Sequence, residues 1–206
     1  MLASQLYATT DVLPVAGLDR LAEHLPNAWI EQALEATGTA SIRRRRLPAE
    51  QVVWLVIALA IYRRQSMPEV LATLDLALSA ASAQAVSKSA VTQARQRLGA
   101  KPLAQLFDQT ARAWCQQDAE YHAWQGLSLW AMDGTTFRTP DSTNNRAHFG
   151  AQAYASGKVA SYPQVRAVSI TAIPTHLVSD IAFGTYAQNE MLYAKTLVGR
   201  IADHSL

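Results

Sequence analysis

The spacing of the apolar residues changes near residue 126. Before that point they recur at helical intervals, and residues 52–61 are apolar throughout. Three short apolar segments follow it, at residues 127–132, 165–172 and 176–183. Such segments are typical of strands. Helices followed by strands predict an α+β chain, with a helical domain over residues 1–125 and a second domain over residues 126–206.

Capping residues predict where the individual helices begin and end. Pro48 can open a long helix, and Ser66 and Ser87 can each cap a further one. Gly99 is a stop signal for the helix that follows Ser87. The predicted helices of the first domain are 29–36, 49–62, 68–78, 88–98 and 102–117, and a helix over 190–201 follows the strands.

Composition excludes several classes of protein. Of the 206 residues, 50% are hydrophobic and 17% are charged, which excludes a disordered chain. The apolar run 52–61 has about half of the roughly 20 residues that a bilayer-spanning helix needs, so no membrane span is expected. Cys115 is the single cysteine, which excludes an internal disulfide. The N-terminus lacks a signal-peptide pattern, and a cytoplasmic location is expected.

Positive charge is concentrated in one part of the chain. The whole sequence has a net charge of only +2, but residues 38–101 contain ten basic and three acidic residues. A basic segment within a neutral chain indicates a local surface for a polyanion.

The predicted helix 88–98 has an apolar face and a polar face. Val91, Ala94 and Leu98 form the apolar one. The polar residues are of the types that bind phosphates and base edges, although a merely solvated amphipathic helix has the same pattern. The candidate DNA contacts of this helix are Lys88, Ser89, Thr92, Gln93, Arg95 and Arg97.

A run of four arginines precedes the long helix. Consecutive cations point in all directions around a helix, so they suit a loop that follows a phosphate backbone, or simply a charged surface. The run consists of Arg43, Arg44, Arg45 and Arg46.

Asp133 follows the apolar segment 127–132 directly. A carboxylate at the end of a buried strand is well placed to hold a divalent cation. The Asp133-Gly134 pair is also a strong signal for a hairpin turn, so the spacing leaves both interpretations open.

Three parts of the sequence together resemble transposases of the insertion sequence 4 family. They are residues 25–34 with the following 43–48, residues 87–99 and residues 130–135. The resemblance implies a helical DNA-binding domain and a ribonuclease-H-like catalytic domain with a mixed sheet. In that domain two Asp and one Glu hold two Mg²⁺ ions, and Asp133 matches the first acid, as catalytic residue and metal ligand. The implied partners are double-stranded transposon-end DNA and a homo-oligomer or a full-length transposase.

The other two acids of the family pattern have no match in this sequence. The second Asp would end the strand after helix 190–201. Asp203 lies too early, in the loop leading to that strand, and Asp141, Asp180 and Glu190 lie in other elements. We therefore expect a truncated transposase with an incomplete sheet, an open edge along residues 127–132, no stably bound Mg²⁺ and no catalysis by this chain alone. The alternatives are a non-catalytic DNA-binding regulator derived from a transposase, and a helical interaction protein.

Overall fold

The computed structural model describes residues 16–40, 47–77, 87–116, 123–154, 157–201 and 203–206. The chain divides into two compact units, Met1–Gln109 and Thr110–Leu206. The arginine run at 43–46 lies outside the described residues, so its predicted place in a loop stays a prediction.

Helices form the described part of the first unit. They are α1 (Ala16–His24), α2 (Asn27–Ala36), α3 (Ala49–Ile61), α4 (Met67–Ala77) and α5 (Lys88–Leu98), and α6 (Lys101–Gln116) continues into the second unit. The central helix is α3, which packs against α2, α4 and α5. A helix that is apolar on all sides can be buried by several neighbours at once.

Apolar side chains from all six helices form the core of the first unit. Ile30 and Leu34 of α2, Leu55 of α3, Val70 of α4 and Val91 of α5 are each at most 1% exposed. This packing fixes which face of α5 points inward and which face meets solvent.

Both ends of α5 lie where the sequence predicts them. The Ser87 Oγ accepts a hydrogen bond from the Ala90 N–H at 3.3 Å, which satisfies a free amide of the first turn. Gly99 follows the last residue with φ +67°, a conformation that glycine adopts without steric cost. The predicted helix 88–98 is confirmed.

The second unit is built on a three-stranded antiparallel sheet. Its strands are β1 (Trp130–Arg138), β2 (Gln164–Ala172) and β3 (Val178–Thr185), and they lie in the order β1-β2-β3. A short helix, α7 (Thr143–Phe149), separates β1 from β2, and α8 (Glu190–Val198) follows β3. Helices together with this sheet agree with the predicted α+β class.

One face of the sheet is covered by α8. Val168 and Ile170 of β2 and Tyr193 and Leu197 of α8 form the buried cluster between them. On this face Gly134 of β1 is opposite Val168. The row of residues that includes Gly134 therefore faces α8, and the alternate residues, Asp133 among them, face the other way.

The last residues of the chain lie beside the beginning of β1. Leu206 donates its backbone N–H to the Ser128 oxygen at 2.8 Å, and Trp130 donates to the Leu206 oxygen at 2.9 Å. The pairing of Ser128 with Ser205 is parallel. The expected open edge along residues 127–132 is thus wrong for Ser128 and Trp130, because residues 204–206 pair with them.

Asp133 lies within a strand, not after one. It is the fourth residue of β1 and is opposite Ser169 of β2. The β-branched and aromatic residues 135–137 favour an extended backbone, and pairing with β2 continues to Arg138. The prediction that the strand ends at residue 132 is wrong, and so is the alternative of a hairpin turn at Asp133-Gly134.

Candidate functional site

The Asp133 side chain is exposed on β1. Its Oδ1 accepts a hydrogen bond from the Gly134 N–H at 2.8 Å. In an antiparallel pair the amides of alternate residues point away from the partner strand. The Trp130 amide points away from β2, toward Leu206, and the Gly134 amide shares that direction. The carboxylate of Asp133 therefore bends toward the outer edge of β1.

A second carboxylate lies close to the same point of β1. Glu190 is the first residue of α8, and its carboxylate occupies the space where a Cβ on Gly134 would lie. The Asn189 Oδ1 caps this helix by accepting the Met191 N–H at 2.9 Å. The sequence places Glu190 in a different element from Asp133. Only the packing of α8 on the sheet brings Glu190 close to Gly134, the residue after Asp133.

These side chains do not make up a metal site by themselves. Within the described ranges, no three His, Cys, Asp or Glu side chains are grouped closely enough to hold a metal ion. Asp133 contributes one carboxylate, whereas a two-metal site needs several oxygen ligands and a bridging group. The predicted role of Asp133 as metal ligand and catalytic residue is not decided by this geometry.

The candidate DNA contacts of α5 all lie on its exposed surface. Val91, Ala94 and Leu98 are buried, as predicted. The exposed side chains are those of Lys88, Ser89, Thr92, Gln93, Arg95 and Arg97. The structure therefore brings these six residues together on one helix with their side chains free of the core.

Helix geometry divides the exposed surface of α5 into a centre and two flanks. At about 100° per residue, Ser89, Thr92 and Gln93 lie opposite the buried residues. Arg95 and Arg97 lie near the two borders with the buried face. Short polar groups thus occupy the middle of the surface, and cations occupy its margins.

No described helix is long and apolar enough to cross a membrane.

The described residues form an α+β protein. Its helical unit has a helix with an exposed polar surface, α5, and its sheet unit has the exposed carboxylate of Asp133 on β1. Residues 15–108 match the family described as insertion element 4 transposase N-terminal. Over these residues the chain belongs to this family of transposase N-terminal domains. No solved structure matches it significantly.

Two relatives come from Escherichia coli (strain K12). The chain is 34% identical over 199 residues to InsZ, a candidate transposase by its name, and the match covers 95% of this chain and 64% of InsZ. It is 37% identical over 189 residues to the transposase InsG for insertion sequence element IS4, with 92% of this chain and 42% of InsG covered. The chain thus spans about half the length of these relatives.

Proposed function

We propose that this chain is the DNA-binding and first catalytic part of a transposase, which binds transposon-end DNA. The observation that carries the proposal is the 37% identity with the transposase InsG over 189 residues. That match covers 92% of this chain, so it extends into both the helical unit and the sheet unit.

The helical unit binds the DNA, and α5 is its recognition helix. The major groove admits an α-helix, whose side chains then face base edges while the groove margins are lined by phosphates. Ser89, Thr92 and Gln93 at the centre of the exposed surface suit the base edges. Lys88, Arg95 and Arg97 suit the phosphates, and the arginines 43–46 add further phosphate contacts.

The sheet unit is the beginning of a ribonuclease-H-like domain, and Asp133 is its first acid. Support comes from the order of elements, three antiparallel strands followed by a helix on one face. The parallel pairing of residues 204–206 with the start of β1 adds to it, since a mixed sheet contains such a strand. In a complete site two Mg²⁺ ions would stabilise charge on the attacking and leaving oxygens of a phosphodiester.

The remaining ligands would come from residues beyond those that match here, in a longer chain or in a full-length partner. The two relatives are longer than the matched region. We therefore propose that the residues of this chain occupy transposon ends and supply one acid of the site, with homo-oligomers or complexes with a full-length transposase as the assemblies.

A binding titration tests this function. Fluorescence anisotropy compares a duplex carrying the end sequence of an insertion sequence 4 element with a scrambled duplex of the same length, over a series of KCl concentrations. We expect tighter binding of the end sequence and a steep decrease of affinity with salt. Absence of binding at low salt would contradict the proposal.

Two matched variants test whether α5 makes the contact with DNA. Lys88→Gln with Arg97→Gln removes two charges from the proposed surface, whereas Lys195→Gln with Arg200→Gln removes two from α8 and the residues after it. We expect the first variant to lose affinity and the second to bind nearly as the wild type does. Equal losses would mean that binding depends on net charge alone.

A further inference from the structure

Two arginines of the sheet each lie over the ring of a tyrosine. The Arg138 guanidinium carbon is 4.3 Å from the ring centroid of Tyr162, and that of Arg166 is 4.6 Å from the centroid of Tyr186. Such cation–π contacts hold a guanidinium group in place without neutralising its charge. We call Arg138 and Arg166 the arginine pair.

The arginine pair lies on the same face of the sheet as Gly134, the face against which α8 packs, where Arg138 is exposed and Arg166 is half-buried. Thr136 is opposite Arg166, and Arg138 is opposite Gln164, which makes the two arginines diagonal neighbours. Diagonal neighbours on adjacent strands lie about 7–8 Å apart at their Cα atoms, within reach of long side chains. The two arginine side chains therefore begin at neighbouring positions of this face.

The described carboxylates leave the arginine pair unneutralised. The ion pairs between described side chains join Arg146 to Asp141 and Arg200 to Asp180. Arg166 donates instead to the Gln188 carbonyl oxygen at 3.3 Å. On this face of β1 the Glu190 carboxylate lies over Gly134.

We propose that the arginine pair binds phosphate groups of a DNA strand. A guanidinium group matches phosphate geometry with two parallel hydrogen bonds, and neighbouring guanidinium groups lower their mutual repulsion when they share an anion. The inference rests on the proposed function, since it supplies that DNA with a second contact, in the sheet unit, outside the basic segment 38–101.

The position of the pair relates it to the proposed catalytic strand. Arg138 follows Asp133 by five residues along β1, about 17 Å at the rise of a strand. Arg138 and Asp133 belong to alternate rows that face opposite sides of β1, so a nucleic-acid strand anchored at Arg138 would cross the outer edge of β1 to reach Asp133. The pair would position the phosphodiester backbone and would not take part in its cleavage.

The test uses the complete 206-residue chain and a variant with Arg138→Gln and Arg166→Gln. The control is Lys195→Gln with Arg200→Gln, which changes the net charge by the same amount within the same unit. Anisotropy titrations with duplex DNA in a KCl series give the slope of log K against log salt. Loss of two phosphate contacts should reduce that slope by about 1.8 and the affinity at 0.1 M salt by about 60-fold.

The control should keep the wild-type slope. A pair variant that binds as the control does would overturn the proposal. Variants with Tyr162→Leu and Tyr186→Leu keep both charges, so we expect a smaller loss than in the pair variant. If the double glutamine variant unfolds, as judged by circular dichroism, the single variants Arg138→Gln and Arg166→Gln take its place. Each should reduce the slope by about 0.9, and an unchanged slope in both would overturn the proposal.

A second probe separates this inference from the proposed function. Failure of the wild type to bind DNA would contradict the proposed function. Calorimetric titration with inorganic tripolyphosphate then tests whether the arginine pair binds phosphate groups. Binding that is lost in the pair variant and kept in the control supports the site. Tripolyphosphate binding that is absent, or equal in all three proteins, overturns it.

Discussion

The Glu190 carboxylate fills the space that a side chain at residue 134 would need, so Gly134 is the residue over which the first turn of α8 lies. A second glycine of the sheet is placed in the same way. A Cβ on Gly184 would lie 2.6 Å from the Tyr193 hydroxyl oxygen. Glycines on β1 and β3 thus let α8 approach the sheet closely.

The two glycines should respond differently to alanine. Tyr193 is 6% exposed and donates its hydroxyl to the Thr185 carbonyl oxygen at 3.1 Å, so it has little room to move. We expect Gly184→Ala to lower the free energy of unfolding by about 1–3 kcal/mol, as overpacked sites do. Urea unfolding monitored by circular dichroism measures the change.

Gly134→Ala is the matched comparison. Glu190 is exposed and its carboxylate can rotate away, while alanine reduces the entropy of the unfolded chain by about 0.4–1 kcal/mol. We expect a change of stability close to zero. Equal destabilisation by the two substitutions would show that the Glu190 side chain is held as firmly as Tyr193.

The 206-residue chain should not cleave transposon-end DNA with Mg²⁺ or Mn²⁺. The described residues contain no group of three potential metal-ligating side chains, and one carboxylate is too few for two ions. The assay is strand nicking of an end-containing plasmid, with DNA binding by the same preparation as the control. Metal-dependent nicking that disappears in Asp133→Asn would contradict this and would reveal further ligands.

The arginine run should contribute affinity without specificity. Replacing Arg43, Arg44, Arg45 and Arg46 by alanine removes only charges that suit phosphates, so binding to all sequences should weaken alike, with a flatter salt dependence. Anisotropy with end and scrambled duplexes measures both effects. Unchanged affinity at low salt would contradict a phosphate role for the run.

Thr92 and Gln93 should act on sequence preference instead. They lie at the centre of the exposed surface of α5, where the proposed base contacts are. Replacing either by alanine should reduce the ratio of end to scrambled binding by about 5–150-fold for a lost base contact of 1–3 kcal/mol. Loss of affinity for both duplexes by the same factor would mean that Thr92 and Gln93 contact phosphates instead of bases.

The ion pair of α7 predicts a local dependence on pH. Hydrogen bonds from the Arg146 side chain hold the pKa of the Asp141 carboxyl below its usual value. Because the pKa is lower in the folded chain, the contribution to stability is present above the unfolded pKa and is lost as pH falls through the folded one. Both side chains are exposed, so the effect on stability is small.

Carboxyl NMR titration measures this effect directly. Arg146→Met should raise the pKa of Asp141 toward its ordinary value. Arg200→Met, which removes the partner of Asp180, is the control and should leave Asp141 unchanged. If the pKa of Asp141 stayed low in Arg146→Met, a group other than Arg146 would be the cause of the lowered pKa.

Sequence alone predicted the elements whose signals are local. Helix α5 has the predicted bounds because a serine cap and a glycine stop lie within a turn of its ends. Strand β2 was predicted to within one residue from its apolar run. By contrast, α7 was missed, since five of its seven residues are polar, with Ser142 as the cap.

The tertiary structure decided the surroundings of Asp133. Its place within β1 depends on pairing with Ser169, and the approach of Glu190 to Gly134 depends on how α8 crosses the sheet. The arginine pair likewise exists only in the register that makes Arg138 and Arg166 diagonal neighbours. These residues are distant in sequence, and a shift of one residue in register would turn each strand side chain to the opposite face. Local sequence signals therefore determine the helices, whereas long-range pairing determines the site.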